Sequence, residues 1–119
     1  MDVSIIIINY NTRDLTLQCL KSIFENTRNI DFEVIVVDNA STDGSQAMIK
    51  NSFPEVILIE NNDNLGFGRA NNIGAKYANG KYLFLLNSDC LLIENTIKAF
   101  YEFMEENNCD ETIGVVGAM

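Results

Sequence analysis

The chain has 119 residues, 47% of them hydrophobic, and 17 acidic against 8 basic side chains give a net charge of −9. That size and hydrophobic content suit one domain spanning residues 1–119 with an ample core, and exclude wholesale disorder. The acidic balance argues against nucleic acid or an anionic membrane surface as partner. The longest uncharged apolar run, Val3 to Ile8, is far shorter than the ~20 residues of a membrane helix.

Val3-Ser4-Ile5-Ile6-Ile7-Ile8 is a β-branched run without helical period and predicts a strand buried on both faces. Thr12 is a candidate N-cap, after which Leu15, Cys19, Leu20, Ile23 and Phe24 recur at helical spacing. Phe32 to Val37 predicts a second buried strand ending at Asp38, and Ser41-Thr42-Asp43-Gly44 has the character of a helix start leading to about Phe53. Pro54 punctuates the chain before a third strand, Val56 to Ile59. Beyond the polar loop Asn61 to Asn64, Phe67, Ala70, Gly74 and Tyr77 fall on one helical face, and Gly80 ends that helix. Tyr82 to Leu86 predicts a fourth strand closing at Asn87-Ser88-Asp89. Ile97, Phe100, Tyr101 and Met104 mark a fourth helix, and Ile113 to Val116 begins a fifth strand.

This alternation predicts an α/β fold, a mostly parallel sheet with helices on both faces. Right-handed crossovers would bring the carboxyl ends of the strands to one edge, where ligands bind in such sheets. Asn9-Tyr10-Asn11, Asp38-Asn39-Ala40-Ser41 and Asn87-Ser88-Asp89 are therefore expected to converge. Each cluster has a plainer reading as well. Asp38 suits a ribose or base N–H, and equally a cap for the next turn. Tyr10 suits stacking on a nucleobase, or an ordinary strand end. Asn87, Ser88 and Asp89 offer hard oxygen donors for Mg²⁺ or Mn²⁺, and are also turn formers. Gly66-Phe67-Gly68 lacks the third glycine of a dinucleotide fingerprint, so its glycines point to close approach of the backbone to a ligand or neighbouring strand. Arg69 is one of few cations open to an anion. If the ligand is a diphosphate, a divalent cation is the natural intermediary. Two like charges about 4 Å apart cost roughly 4 kcal/mol at a near-surface dielectric.

The three cysteines, Cys19, Cys90 and Cys109, are widely spaced and expected to be reduced packing residues, and there is no histidine to support a His-based triad or metal site. With Met1-Asp2 opening straight into the first strand, the expected location is the cytoplasm.

Together the clusters resemble the family 2 glycosyltransferases of the GT-A (nucleotide-diphospho-sugar transferase) fold. The likeness is carried by Ser4 to Asn11, Val36 to Gly44, Asn64 to Gly74 and Phe84 to Asp89, four motifs in order over essentially the whole chain. The third stretch looks most like bacterial rhamnosyltransferases and related polysaccharide enzymes. The resemblance implies a nucleotide-sugar site built from Asn9, Tyr10, Asn11, Asp38, Asn39, Ser41, Asn71, Asn87 and Asp89, with Asp38 on the nucleoside. It implies that Asp89 carries a divalent Mg or Mn ion on the donor diphosphate, as the last acid of a D-x-D motif. Here the first position of that motif is Asn87, which lends an oxygen but no charge. The implied reaction is inverting transfer from a UDP- or dTDP-linked sugar to a saccharide or lipid-linked saccharide hydroxyl, in cell-surface polysaccharide synthesis. The implied catalytic base lies beyond Met119, so the 119 residues are expected to bind donor without being a competent enzyme. A sheet stopping at about its fifth strand would leave an open edge near Val115-Val116 that a homodimer could cover.

Three other readings fit less well. A sugar nucleotidyltransferase would carry a glycine-rich basic loop after the first strand. A receiver-like, non-catalytic module would carry a cluster of acids there, and an NAD-binding domain the glycine fingerprint. Asn9-Tyr10-Asn11-Thr12-Arg13-Asp14 supplies none of these.

Overall fold

In the computed structural model, residues 1–107 and the backbone of residues 113–116 are described. The elements run β1 (Val3–Asn9), α1 (Arg13–Asn26), β2 (Phe32–Asp38), α2 (Ser45–Ser52), β3 (Ile57–Glu60), α3 (Phe67–Tyr77), β4 (Tyr82–Asn87), α4 (Thr96–Glu106) and β5 (Ile113–Val116). The strands form one sheet in the order β3-β2-β1-β4-β5, and every pairing is parallel. Central β1 sets Ile5 beside Val34 of β2 and Phe84 of β4.

The uninterrupted apolar run of β1 follows from that central place. Ile5 and Ile7 enter one core with Cys19, Leu20 and Ile23 of α1, Ile49 of α2 and Ile97 of α4. Ile6 faces the other way, into a smaller core with Ile35, Val37 and Ala70 of α3. Helices thus cover both faces unequally: α1, α2 and α4 on one, α3 alone on the other. The Phe100 ring lies 4.8 Å from that of Phe84, which fixes α4 to the α1 face. The chain steps from β4 to β5 in the direction opposite to its step from β1 to β2. With α1 and α4 on one face, these two connections have opposite hands, a departure from uniformly right-handed crossovers. Among the described residues, no helix is long and apolar enough to cross a membrane.

Local details depart from the expected pattern. Phe67 and Tyr77 are 58% and 55% exposed, and the buried face of α3 is made by Ala70 and Gly74. The cause is close approach: a Cβ on Gly74 would lie 2.8 Å from Ile6 Cγ2. The helix ends at Tyr77 rather than at Gly80. Gly80 is required for a different reason, since its Cβ would meet the Ser4 backbone nitrogen at 2.5 Å. Its amide donates to Ser4 Oγ at 2.8 Å, and Ser4 Oγ in turn donates to Glu33 at 2.6 Å. Thr12 occupies the N-cap of α1, but its hydroxyl makes no capping bond. Asp43 does that work from the next loop. Its carboxylate accepts from the Arg13 amide at 2.9 Å and from the Ser45 amide at 3.0 Å, tying the starts of α1 and α2 together.

The added methyl of Gly80→Ala meets backbone that cannot step aside, so chemical denaturation is expected to show a loss of about 3 kcal/mol. Gly68→Ala, with nothing within 4 Å of its Cβ, is expected to gain about 0.5 kcal/mol.

Candidate functional site: a cleft at the carboxyl edge of the sheet

After β1 the chain moves toward β2 and β3, and after β4 it moves toward β5. The carboxyl ends of β1 and β4 therefore flank a topological switch point, where diverging loops leave a crevice. A cleft of about 490 Å³ opens there. Its floor and one wall come from Ile8 and Tyr10 at the end of β1 and Asn39 after β2. Thr12 and Leu15 enter from the start of α1, and Asn64, Gly66 and Phe67 from the approach to α3. Asn87, Ser88 and Asp89 after β4 close the far side.

The three polar clusters do converge, with a division of labour the sequence does not display. Tyr10, Asn39, Asn87 and Asp89 line the cleft. Asn9, Asp38 and Ser41 lie buried beneath it, at 0%, 0% and 8% exposure. Asp38 accepts from Asn9 Nδ2 at 2.6 Å, from the Ser41 amide at 2.9 Å and from Gln46 Nε2 at 2.6 Å. Its carboxylate is thus fully engaged by its own loops and forms no part of the cleft surface. Asn9 completes the knot by accepting from Thr12 Oγ1 at 2.8 Å and Thr16 Oγ1 at 2.7 Å. Ala40, between Asp38 and Ser41, takes a φ of +62°. That left-handed conformation costs an alanine about 1 kcal/mol and turns the Ser41 amide back onto Asp38.

Asn11 stands outside the cleft, its amide donating to Ser41 Oγ at 2.9 Å and its Oδ1 accepting from Thr42 N at 2.8 Å. Asn71 also lies off the cleft, and its Oδ1 is buried with no hydrogen-bond partner among the described residues. Arg69 is exposed and is not on the wall. Leu15, Asn64 and Phe67 are cleft residues that the clusters did not announce. The signal available for Phe67 was its place next to two glycines at the head of a helix whose start faces this edge.

The Cys90 amide donates to Asn87 O at 3.1 Å and closes a turn that leaves Asp89 exposed above buried Cys90. The Thr12 hydroxyl lies 3.3 Å from Ser88 Oγ and joins the ends of β1 and β4. Among the described residues, Asp89 is the sole carboxylate on the cleft wall. No group of three or more His, Cys, Asp or Glu able to hold a metal occurs among the described residues. One carboxylate beside the neutral oxygens of Asn87 and Ser88 does not make a protein-only cage. It does suit Mg²⁺ or Mn²⁺ that takes its remaining ligands from a bound diphosphate.

Cys19 and Cys90 are buried, while Cys109 lies outside the described residues. Burial above all, with Cys90 and Asp89 nearby, pushes the Cys19 thiol up to about 12, so it carries no thiolate at neutral pH. Partial burial would raise Asp43, yet hydrogen bonds from the Ser45 side chain and from the Arg13 and Ser45 amides hold its carboxyl below the usual range.

An α/β domain with a mixed aromatic and oxygen-rich cleft at its switch point belongs to the nucleotide-binding class of parallel sheets. Residues 4–118 match the family described as glycosyl transferase family 2, and the chain belongs to that family. It is 35% identical over 119 residues to a poly(ribitol-phosphate) beta-glucosyltransferase of Bacillus spizizenii, covering 96% of this chain and 19% of that protein. It superposes on the crystal structure of S. aureus TarS 1-349 in complex with UDP-GlcNAc with a TM-score of 0.79 at 27% identity, covering 91% of this chain and 32% of that one. A mannosyltransferase of Pyrobaculum calidifontis in complex with GDP-Man and Mn²⁺ matches with a TM-score of 0.73 at 29% identity, over 82% of this chain and 30% of that one. The fold is therefore of the GT-A type. The chain spans about a fifth to a third of the length of these relatives. Family membership leaves no place for the receiver-like and NAD-binding readings.

Replacing Asp38 by alanine orphans the Ser41 amide and releases the end of β1, the turn after β2 and the start of α2 from one another, and is expected to cost about 3 kcal/mol by chemical denaturation. A depressed carboxyl contributes stability that is present above the ordinary aspartate pKa of about 3.9 and lost as pH falls through the lower folded value. Between about pH 4.5 and about pH 2.5, the Tm of the parent is therefore expected to fall more steeply than that of Asp43→Asn.

Proposed function

We propose that this domain binds the nucleoside diphosphate-sugar donor of an inverting glycosyltransferase that builds a cell-surface polysaccharide. The observation that carries the reading is the meeting, in one cleft, of two half-exposed aromatic rings, Tyr10 and Phe67, with the carboxylate of Asp89. A planar base finds apolar faces at one side, and a diphosphate finds oxygen donors for a bridging cation at the other. When bound, the divalent ion supplies neutralisation of the charge that grows on the leaving diphosphate. Asp89 would hold it, with Asn87 and Ser88 beside it.

Asn9, Asp38 and Ser41 serve the same site from below by fixing the loops that carry Tyr10 and Asn39. Uridine diphosphate is the favoured nucleotide, supported by the structural neighbour bound to UDP-GlcNAc. A sugar- or polyol-phosphate polymer is the favoured acceptor, supported by the poly(ribitol-phosphate) relative. Deprotonating the acceptor hydroxyl needs a base, and Asp89, the one carboxylate on the cleft wall among the described residues, is committed to the cation, so another group acts as the base.

Calorimetric titration with UDP, with and without Mn²⁺, tests the assignment. The expected result is binding that Mn²⁺ strengthens, and an Asp89→Ala variant weakened at least about tenfold in Mn²⁺ and indifferent to the ion. Equal affinity for NAD, or Mn²⁺ dependence that survives Asp89→Ala, would remove the assignment.

A further inference from the structure

Both polar ends of the Asn39 side chain are committed to the loop between β3 and α3. Its Oδ1 accepts from Asn61 Nδ2 at 2.9 Å, and its Nδ2 donates to the Gly66 carbonyl at 3.3 Å. The backbone reinforces the join, since the Asn61 amide donates to Asp38 O at 2.9 Å and the Asn39 amide to Asn9 O at 2.9 Å. Asn39 is itself 2% exposed, so the amide is held in place by its surroundings.

Gly66 has no such support from packing. Its φ is +82°, and a Cβ there would find no atom within 4 Å. It is held by hydrogen bonds: its carbonyl also accepts from Ala70 N at 3.2 Å, and its amide donates to Asn64 Oδ1 at 3.0 Å. The next residue is Phe67, 58% exposed and on the cleft wall. Burial does not fix that ring. The backbone at Gly66 does, and Asn39 is the side chain that reaches across from β2 to hold it.

We propose that Asn39 is a positioning residue, clasping Gly66 so that Phe67 stands as the aromatic wall against which the donor's base lies. The inference rests on the donor-binding reading and adds to it a residue that acts through another. The chemistry of an amide is needed, because only an amide of this length both accepts from Asn61 and donates to Gly66. Aspartate, equal in shape, loses the donor and sets its charge against the Gly66 carbonyl. The Ala70 amide still satisfies that carbonyl, so the fold survives the change.

The test is a double-mutant cycle on the full chain with Asn39→Asp and Phe67→Ala, reading Kd for UDP in Mn²⁺ and Tm for each variant. Each single change is expected to weaken UDP about tenfold, and the double variant to be no weaker than the weaker single, with Tm for Asn39→Asp close to that of the parent. Losses that multiply, or an Asn39→Asp variant that binds as well as the parent or better, would overturn the proposal. Amide hydrogen exchange without ligand gives a second reading. Asn39→Ala is expected to speed exchange at the Ala70 amide while leaving Met48 unchanged, and equal rates at Ala70 would overturn the clasp. If the parent fails to bind UDP, the donor-site reading falls, and the exchange rates alone decide whether Asn39 holds the loop.

Discussion

The site depends on a carboxylate that takes no part in its surface. Asp38 sits at the end of β2 with no exposed area, and burying a charge there is tolerable only because three donors converge on it. Those donors come from the end of β1, from the turn after β2 and from α2. One buried charge therefore sets the relative positions of Tyr10, Asn39 and the start of α2. Losing it would leave the strands paired and the cleft without fixed edges.

The cleft inherits a direction from the topology. Toward β2 and β3 it presents amides and aromatic rings, and toward β4 it presents the Asn87-Ser88-Asp89 turn. A ligand with a flat apolar end and an anionic end fits that gradient one way round. The protein itself carries a net charge of −9, so an anion arriving at Asp89 needs a cation between them. The same acidity that argues against nucleic acid suits the metal-assisted diphosphate donor proposed above.

Most of the fold was legible because β-branched runs and helical spacing are local signals. All five strands and four helices lie within a few residues of where the pattern puts them. The convergence of the polar strand ends followed from parallel order alone. Composition and period could not show which of those polar residues consume one another. The bonds from Asn9 to Asp38 and from Asn11 to Ser41 span 29 and 30 positions, and only the β1–β2 register brings them together. Periodicity also misassigned Phe67 and Tyr77, because the buried face of α3 is set by how closely Gly74 approaches Ile6. Thr12 has the right residue type for a cap, yet Asn9 claims its hydroxyl and Asp43 reaches in from another loop. The opposite hand of the β4–β5 connection could not be read either, since periodicity shows which face of α4 is apolar and not which side of the sheet that face covers.

The claim under all of this is that three strand ends form one rim around one bound diphosphate and its cation. Paramagnetic broadening by Mn²⁺ in an isotope-labelled chain saturated with UDP measures it directly, because the effect falls steeply with distance from the ion. The account predicts broadening centred on the amides of Asn87 to Cys90, extending to Tyr10 and Thr12, and absent around Asp43 and the far end of α4. Broadening centred on those other acids, with Asp89 undisturbed, would contradict it.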